Sequence, residues 1–340
     1  MTPPFLNYDI YINNLVAETP LRKIDIYDYK EEEPDLDLSK EYQILFNFYQ
    51  GWIEQQQKFG IFKSNIFFNP FINVNAKATK HNDHFIISIN RGVIYTLWNK
   101  FQTNHKLFEA SGLHEFNTIQ QKSDWPFNKL MFQLCCHFTF YHELGHLIQD
   151  SELLKSGLSE DISSDKKFSQ YRHIMEYDAD AYSGICLSTH IYKYLEYCHI
   201  IDNKEAELII SAIGSSIFTY LLMFESTKLP FYTKEYSHPH PFVRLFSVLD
   251  YMVGYIEHLD KEKDIYKLNT KTILKKLIQC SKVIINMLLD EDSSKRIDKL
   301  MDNNINEAIK YSKELKELNV NNQESAFNKR NEKVMNENGL

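Results

Sequence analysis

The stretch FTFYHELGHLIQD, residues 138–150, places two histidines four positions apart inside an apolar run. On an α-helix, His142 and His146 project from the same face one turn apart, a spacing at which both imidazoles reach one ion. Glu143 then lies beside that ion without binding it, where it can take a proton from a metal-bound water. The pattern HExxH therefore predicts a catalytic metal site. The alternative is a core helix whose histidines bond to neighbouring groups.

A catalytic zinc ion needs a third protein ligand and one open position. The longer spacing HExxHxxGxxH does not apply, because Gln149 and Glu152 stand where it requires Gly and His. The segment HIMEYDADAYSG, residues 173–184, carries Glu176 and Asp180 four positions apart on a predicted helix that is otherwise largely apolar. Acidic groups on a buried helix are costly unless they are paired or bind a metal. We therefore predict a single Zn²⁺ with Glu176 as its third ligand.

The neighbours of Glu176 receive different roles. Asp180, one turn later, is predicted to accept the second ring N–H of a ligand histidine. Asp178 projects roughly 160 degrees from that line, at about 100 degrees per residue, and is expected to face solvent or a helix cap. His173, one turn earlier on the same side, is a rival ligand that we rank below Glu176. A solvated helix face is the alternative for the three acidic residues.

A third segment, EYSHPHPFVRL at residues 235–245, interleaves two histidines with two prolines and is therefore stiff. Pro241 suits the first turn of a helix. We predict that the segment holds His238 toward the carbonyl oxygen that becomes an oxyanion, with Tyr236 as the alternative donor. Arg244 is expected to tie the segment to the acidic helix or to substrate. The competing interpretation is an ordinary helix start with a solvent-facing histidine.

Alternating β-branched and polar residues on both sides of the turn-like KHND predict a small sheet. We expect a hairpin of residues 72–79 against 84–90, followed by a helix after Gly92. The second strand is our candidate edge strand, which would bind an extended peptide through main-chain hydrogen bonds. The side chains assigned to this surface are Phe85, Ile87 and Ile89.

The remainder has helical periodicity, so the predicted fold class is α+β and mostly α-helical. Predicted helices cover about 127–150, 167–198, 203–225 and 241–260, with one or two amphipathic helices in 262–312 and another that carries Tyr42 to Ile53. Residues 25–41 are acidic and contain Pro34, which predicts an exposed linker. The domain plan is an N-terminal extension (1–40), a domain holding the three motifs (41–260), C-terminal helices (261–314) and a flexible tail (315–340).

Bulk properties restrict the function classes. The chain has 340 residues, of which 43% are hydrophobic and 14% aromatic, enough for one large or two ordinary domains. The formal net charge of −8 argues against partners with a polyanionic surface, so we expect neither nucleic acid nor membrane binding. Proteins and small molecules are the expected partners.

The cysteines indicate a reducing compartment. There are five, an odd number, and none forms a CxxC pair. Cys135 and Cys136, with the adjacent His137, are expected to be core residues or to support the site without binding the ion. The N-terminus lacks the layout of a secretory signal and no run approaches about 18 uninterrupted apolar residues, so we expect a soluble cytoplasmic protein.

The three motifs together resemble those of the gluzincin metallopeptidases, which combine HExxH, a downstream ExxxD helix and a later HPxxxxR segment. The matching residues are His142, Glu143, His146, Glu176, Asp180, His238, Pro239 and Arg244. The resemblance covers about residues 68–250 and implies a zincin-like catalytic core with a helical C-terminal half. HtpX-like peptidases share the motifs but are usually membrane-embedded, so the chain is more similar to the soluble Lit-type phage-exclusion peptidases. That likeness implies an intracellular protein substrate and a role in limiting phage growth.

Two other interpretations stay open. In the first, zinc is structural and the protein is an interaction or sensor module without peptidase activity, although structural zinc normally has four protein ligands. In the second, an intact protease stays latent until a protein activator or phage product engages the acidic N-terminal segment or the C-terminal helices.

Overall fold

The computed structural model describes residues 7–56, 60, 63–110, 113, 115–116, 125–156, 158–159, 167–224 and 230–329. The chain divides into two compact units. Unit 1 comprises Met1–Thr96, His142–Glu160 and Gln323–Leu340, and unit 2 comprises Leu97–Tyr141 and Asp161–Asn322. The predicted fold class is confirmed, since the described residues are mainly helical and include one small sheet.

Unit 1 begins with three helices: α1 (Tyr8–Glu18), α2 (Tyr29–Glu32) and α3 (Leu36–Gln55), with a 3₁₀ turn at Lys23–Asp25. Asp35 caps α3, because its carboxylate accepts the backbone N–H groups of Asp37 and Leu38. The prediction of an exposed linker over residues 25–41 is wrong, since Tyr27 and Tyr29 are fully buried. The acidic residues of this segment suggested that it is exposed to solvent. The tyrosines between them instead pack into the core of unit 1.

Aromatic side chains form the core where these helices meet the sheet. Tyr29 stacks on Tyr42 at 5.6 Å between ring centroids, and Tyr42 meets Phe68 edge-on at 4.9 Å. The Tyr8 hydroxyl donates to the carbonyl of Tyr27 at 3.0 Å, so its buried polar end is paired. The N-terminal residues are thus an integral part of unit 1.

The sheet has strands β1 (Ser64–Asn69), β2 (Ala76–His81), β3 (His84–Asn90) and β4 (Leu158–Ser159), in the order β1-β3-β2-β4. The antiparallel β2–β3 hairpin is confirmed, with β2 beginning at Ala76 rather than at residue 72. The prediction that residues 84–90 form an edge strand is wrong, because β1 pairs with β3 in parallel on its other side. The main chain of β3 is therefore used within the sheet, and its side chains Phe85, Ile87 and Ile89 are buried.

Helix α4 (Arg91–Leu97) follows β3 directly and requires a glycine at its second position. The Gly92 N–H donates to the Phe71 carbonyl at 3.0 Å, which brings the preceding loop close to the backbone. A Cβ atom at Gly92 would lie 2.1 Å from the carbonyl oxygen of Ile72. Only glycine permits this approach of loop and helix.

The remaining helices match the predicted pattern closely. They are α5 (Phe127–Gln149), α6 (Leu153–Ser156), α7 (Gln170–Tyr197), α8 (Asn203–Phe224), α9 (Pro241–Leu259), α10 (Thr270–Leu288) and α11 (Glu291–Asn319), with a π-helical turn at Trp98–Gln102 and a 3₁₀ turn at His105–Glu109. The predicted tail over 315–340 is wrong at its start, since α11 continues to Asn319 and the Leu315 side chain is buried. Residues 330–340 lie outside the described residues.

Small residues allow the helices of unit 2 to pack closely. A Cβ atom at Gly184 of α7 would lie 2.7 Å from the carbonyl oxygen of Val248 on α9. The Ser188 hydroxyl donates to the Met252 carbonyl across the same contact at 3.0 Å. A comparable contact between α8 and α10 involves Ser211, Gly214, Ser215, Ile273 and Leu277. The α7–α9 contact fixes the two helices that carry Glu176 and Arg244.

Within the described part of the chain, one helical stretch, Asn203–Met223, is long and apolar enough to cross a membrane. Serines and a glycine interrupt its apolar residues, so the stretch contains no uninterrupted apolar run of about 18 residues. In the structure 94% of its 18-residue apolar window is buried, as in a core helix packed on its neighbours.

Candidate metal centre

The HExxH residues lie on α5 and are nearly inaccessible to solvent. His142 is 1% exposed, Glu143 1% and His146 2%. The Nε2 atoms of the two histidines are 3.0 Å apart, with the rings in a T-shaped arrangement. Two nitrogen ligands of a tetrahedral zinc ion, each about 2.0–2.1 Å from it, lie about 3.3 Å from each other. The helix therefore presents the two nitrogens at nearly the separation that one ion requires.

Gln149 determines how the His146 ring is presented. Its side-chain oxygen accepts a hydrogen bond from His146 Nδ1 at 2.9 Å. The other ring nitrogen, Nε2, faces His142. This orienting role was not predicted, although Gln149 stands three positions after His146 on the same helix, where side chains meet.

Glu176 on α7 completes a group of three candidate ligands. One ligand atom each from His142, His146 and Glu176 lies within 4.8 Å of the other two, and all three residues are buried. Across the described ranges, no other group of three or more His, Cys, Asp or Glu residues meets this condition. The residues can therefore hold a metal ion, as the sequence predicted.

His238 contacts the carboxylate of Glu176. Its Nε2 atom lies 3.4 Å from Glu176 Oε1, and both side chains are 2% exposed. The other ring nitrogen, Nδ1, is 3.0 Å from the Ser237 hydroxyl. The structure therefore places His238 beside a candidate ligand, and the interpretation as a solvent-facing histidine is wrong.

Asp180 and Arg244 form a buried bidentate ion pair. Arg244 Nε donates to Asp180 Oδ2 at 3.0 Å, and its Nη2 donates to Oδ1 at 2.9 Å. The arginine thus binds the acidic helix, one of the two partners suggested for it. Asp180 was predicted to orient a ligand histidine, but for His146 that acceptor is Gln149.

Asp178 does not face solvent, so that prediction is wrong. Its side chain is fully buried and accepts a hydrogen bond from Asn319 Nδ2 at 3.0 Å. The helical geometry was correct, since Asp178 points away from the Glu176 side. Helix α11 covers that side, and no local pattern around Asp178 indicates it.

His173, the rival ligand, has both ring nitrogens occupied. Nε2 donates to the Tyr236 carbonyl at 2.8 Å, and Nδ1 accepts from the Tyr311 hydroxyl at 2.9 Å. Burial lowers the pKa of His173 to about 4 and keeps the ring neutral. The ranking of Glu176 above His173 agrees with this arrangement.

Three residues that precede the HExxH motif on α5 are buried: Cys135, Cys136 and His137. Burial, with His190 nearby, lowers the pKa of His137 well below its ordinary value. Burial raises the pKa of the Cys135 thiol to about 12, which keeps it protonated and unreactive. Cys136 is also buried, and neither cysteine is in a disulfide.

Stability should fall as the medium becomes acidic. Burial lowers the pKa of His173 and His190 to about 4 and of His240 to about 3. Because the unfolded state binds these protons from about pH 6.5 downward, each group weakens folding by about 3 kcal/mol when the pH reaches about 4. We expect the urea midpoint to decrease steadily from pH 7 to pH 5.

The matched control for acid sensitivity is His190→Gln. It removes one titrating group, so the dependence of unfolding free energy on pH should become shallower by up to about 1.4 kcal/mol per pH unit. Equal slopes for this variant and the parent would contradict the assignment of His190 as a neutral, half-buried base.

Comparisons with known proteins yield no relatives: no family model, no curated protein and no solved structure matches the chain. The gluzincin resemblance stays a prediction that rests on the motif residues.

Proposed function

We propose that this protein is a zinc-dependent endopeptidase that acts on an intracellular protein. The observation that carries the proposal is the buried group of His142, His146 and Glu176, with Glu143 next to the first histidine on the same helix. Two imidazoles and one carboxylate are the ligand set of a catalytic zinc site that keeps one position open.

The donor chemistry separates this proposal from the sensor interpretation. A structural zinc site normally has four protein ligands and is rich in cysteine, whereas the group found among the described residues has three members and no cysteine. A bound zinc ion would supply a Lewis acid that polarises a carbonyl and acidifies a water near neutral pH. Glu143 would have no function in a purely structural site.

The residues around the proposed ion orient its ligands. Gln149 holds the His146 ring through Nδ1, and His238 lies against Glu176. Such partners fix the direction of the donor atoms and typically contribute ten- to a hundredfold in metal affinity. His238 keeps its predicted second role as an oxyanion donor, with Tyr236 as the alternative.

Glu143 is the proposed proton carrier. Its carboxylate takes a proton from the attacking water and delivers it to the nitrogen of the leaving amine. The substrate-binding strand needs reassignment, because β3 is paired on both sides. A cytoplasmic location and a protein activator remain part of the proposal and rest on the sequence.

The test of the metal centre is zinc stoichiometry by mass spectrometry of the purified protein. We expect about one zinc per chain in the parent, and a large loss in His146→Ala and Glu176→Ala because each removes a ligand. The matched control is His137→Ala, which deletes another buried histidine from the same helix outside the group.

The same preparations are then incubated with unfolded protein substrates, with and without a chelator. Cleavage that the chelator abolishes supports the peptidase. Zinc binding without cleavage under any condition would favour the sensor interpretation, and equal zinc content in all three variants would reject the metal centre itself.

A further inference from the structure

One face of α7 is joined to the segment that carries His238 at three successive positions. His173, Glu176 and Asp180 are spaced i, i+3 and i+7, so they lie along one side of the helix. Their partners are the Tyr236 carbonyl, the His238 ring and the Arg244 guanidinium, respectively. The same face that offers Glu176 to the ion therefore also anchors the loop before α9.

The contact at His173 extends to the C-terminal helix. A carbonyl oxygen can only accept, so His173 Nε2 carries the proton and donates to Tyr236. Nδ1 is then an acceptor, and the Tyr311 hydroxyl of α11 donates to it. Burial lowers the pKa of His173 and keeps its ring neutral, which agrees with one donating and one accepting ring nitrogen. The Tyr236 carbonyl thus fixes the tautomer of His173, and Tyr311 holds the orientation of its ring.

The loop before α9 is stiff, so a constraint on Tyr236 also acts on His238, two residues later. Pro239 follows His238 directly and restricts its backbone. The Tyr236 ring packs on Tyr232 at 4.4 Å between centroids, and Tyr232 meets the His240 ring at 4.9 Å. A displacement of the Tyr236 carbonyl would therefore move the His238 ring as well.

We infer that Tyr311 and His173 are positioning residues that hold His238 against Glu176, so that the C-terminal helix α11 controls the geometry of the proposed metal centre. The inference rests on the proposed function in that it takes Glu176 as a ligand. Helix α11 also binds the loop through Lys234 and Glu314, whose side chains are 2.6 Å apart. This pair is exposed and contributes little stability, so the buried contact at Tyr311 carries the constraint.

The first test is independent of zinc and of activity. Side-chain ¹⁵N NMR of the metal-free protein, with the His238 signal assigned through His238→Gln, is compared for the parent and Tyr311→Phe. We expect the His238 ring signals to shift in Tyr311→Phe. The matched control is Tyr266→Phe, which deletes a buried hydroxyl that donates to the Ile200 carbonyl at 2.6 Å elsewhere in unit 2. The control should leave His238 unchanged.

The second test uses the zinc-loaded chain and a cleavable peptide. We expect Tyr311→Phe to lower kcat by about tenfold with little change in KM and in zinc content. His173→Gln keeps an amide donor that reaches toward Tyr236 and should retain more activity than His173→Asn, whose shorter side chain does not. A role limited to stability would lower the melting temperature of Tyr311→Phe and Tyr266→Phe alike and leave kcat intact.

The outcomes separate the two proposals. An unchanged His238 signal in Tyr311→Phe, or a changed signal with an unchanged kcat, overturns the positioning role. A changed signal in a protein that binds zinc but cleaves nothing supports the positioning of His238 and counts against the peptidase.

Discussion

Replacing Glu143 by glutamine is expected to reduce peptide hydrolysis by about 10²–10⁴-fold, the range for loss of a positioned general base. The amide has nearly the shape of the carboxylate but cannot accept the proton of the attacking water. The candidate ligands His142, His146 and Glu176 are unchanged, so zinc content and melting temperature should stay close to those of the parent. Initial rates with the zinc-loaded proteins measure the effect.

The matched control is Glu152→Gln, which makes the same change at an exposed position shortly after α5. Its activity should equal that of the parent. Full activity in Glu143→Gln would remove Glu143 from the mechanism, and a loss of zinc in that variant would show that Glu143 supports the ligands instead.

The same pair of proteins addresses the cellular role expected from the resemblance to phage-exclusion peptidases. In phage-challenged bacteria, the parent should lower plaque formation and produce a new cleavage fragment, whereas Glu143→Gln should do neither. Equal plaque numbers without a fragment would reject the defence role and leave the zinc chemistry in place.

Replacing Arg244 by methionine is expected to destabilise the protein by about 3–5 kcal/mol, because it leaves the carboxylate of Asp180 buried without its cation. The side chains of Asp180 and Arg244 are 0% and 3% exposed, so solvent cannot replace the lost partner. The free energy of unfolding from urea titration measures the loss.

An exposed ion pair serves as the control. Lys316 Nζ lies 2.6 Å from Asp250 Oδ2, with about half of each side chain exposed. Lys316→Met should therefore change stability by no more than about 1 kcal/mol. If both substitutions had the same effect, the buried pair would not hold α9 to α7. The double variant Asp180→Leu with Arg244→Met should recover part of the loss, since it leaves no buried charge.

Local sequence was sufficient to predict most of the secondary structure and the candidate metal ligands. Helical periodicity placed α5, α7, α8 and α9 within a few residues of their observed ends, because each helix shows its buried face within its own sequence. The HExxH spacing predicted that His142 and His146 lie together, because both residues belong to one helix. Glu176 could be selected because a carboxylate on an apolar helix needs a partner.

Contacts between distant segments decided the rest. Strand β3 became central because β1, from an earlier segment of the chain, pairs with it in parallel. Asp178 is buried by Asn319, which lies 141 positions later in the chain. His173 is engaged by Tyr311, which lies 138 positions away. A local pattern specifies which side of an element is buried, but the residue that covers it comes from another part of the chain, and only the tertiary structure brings the two together.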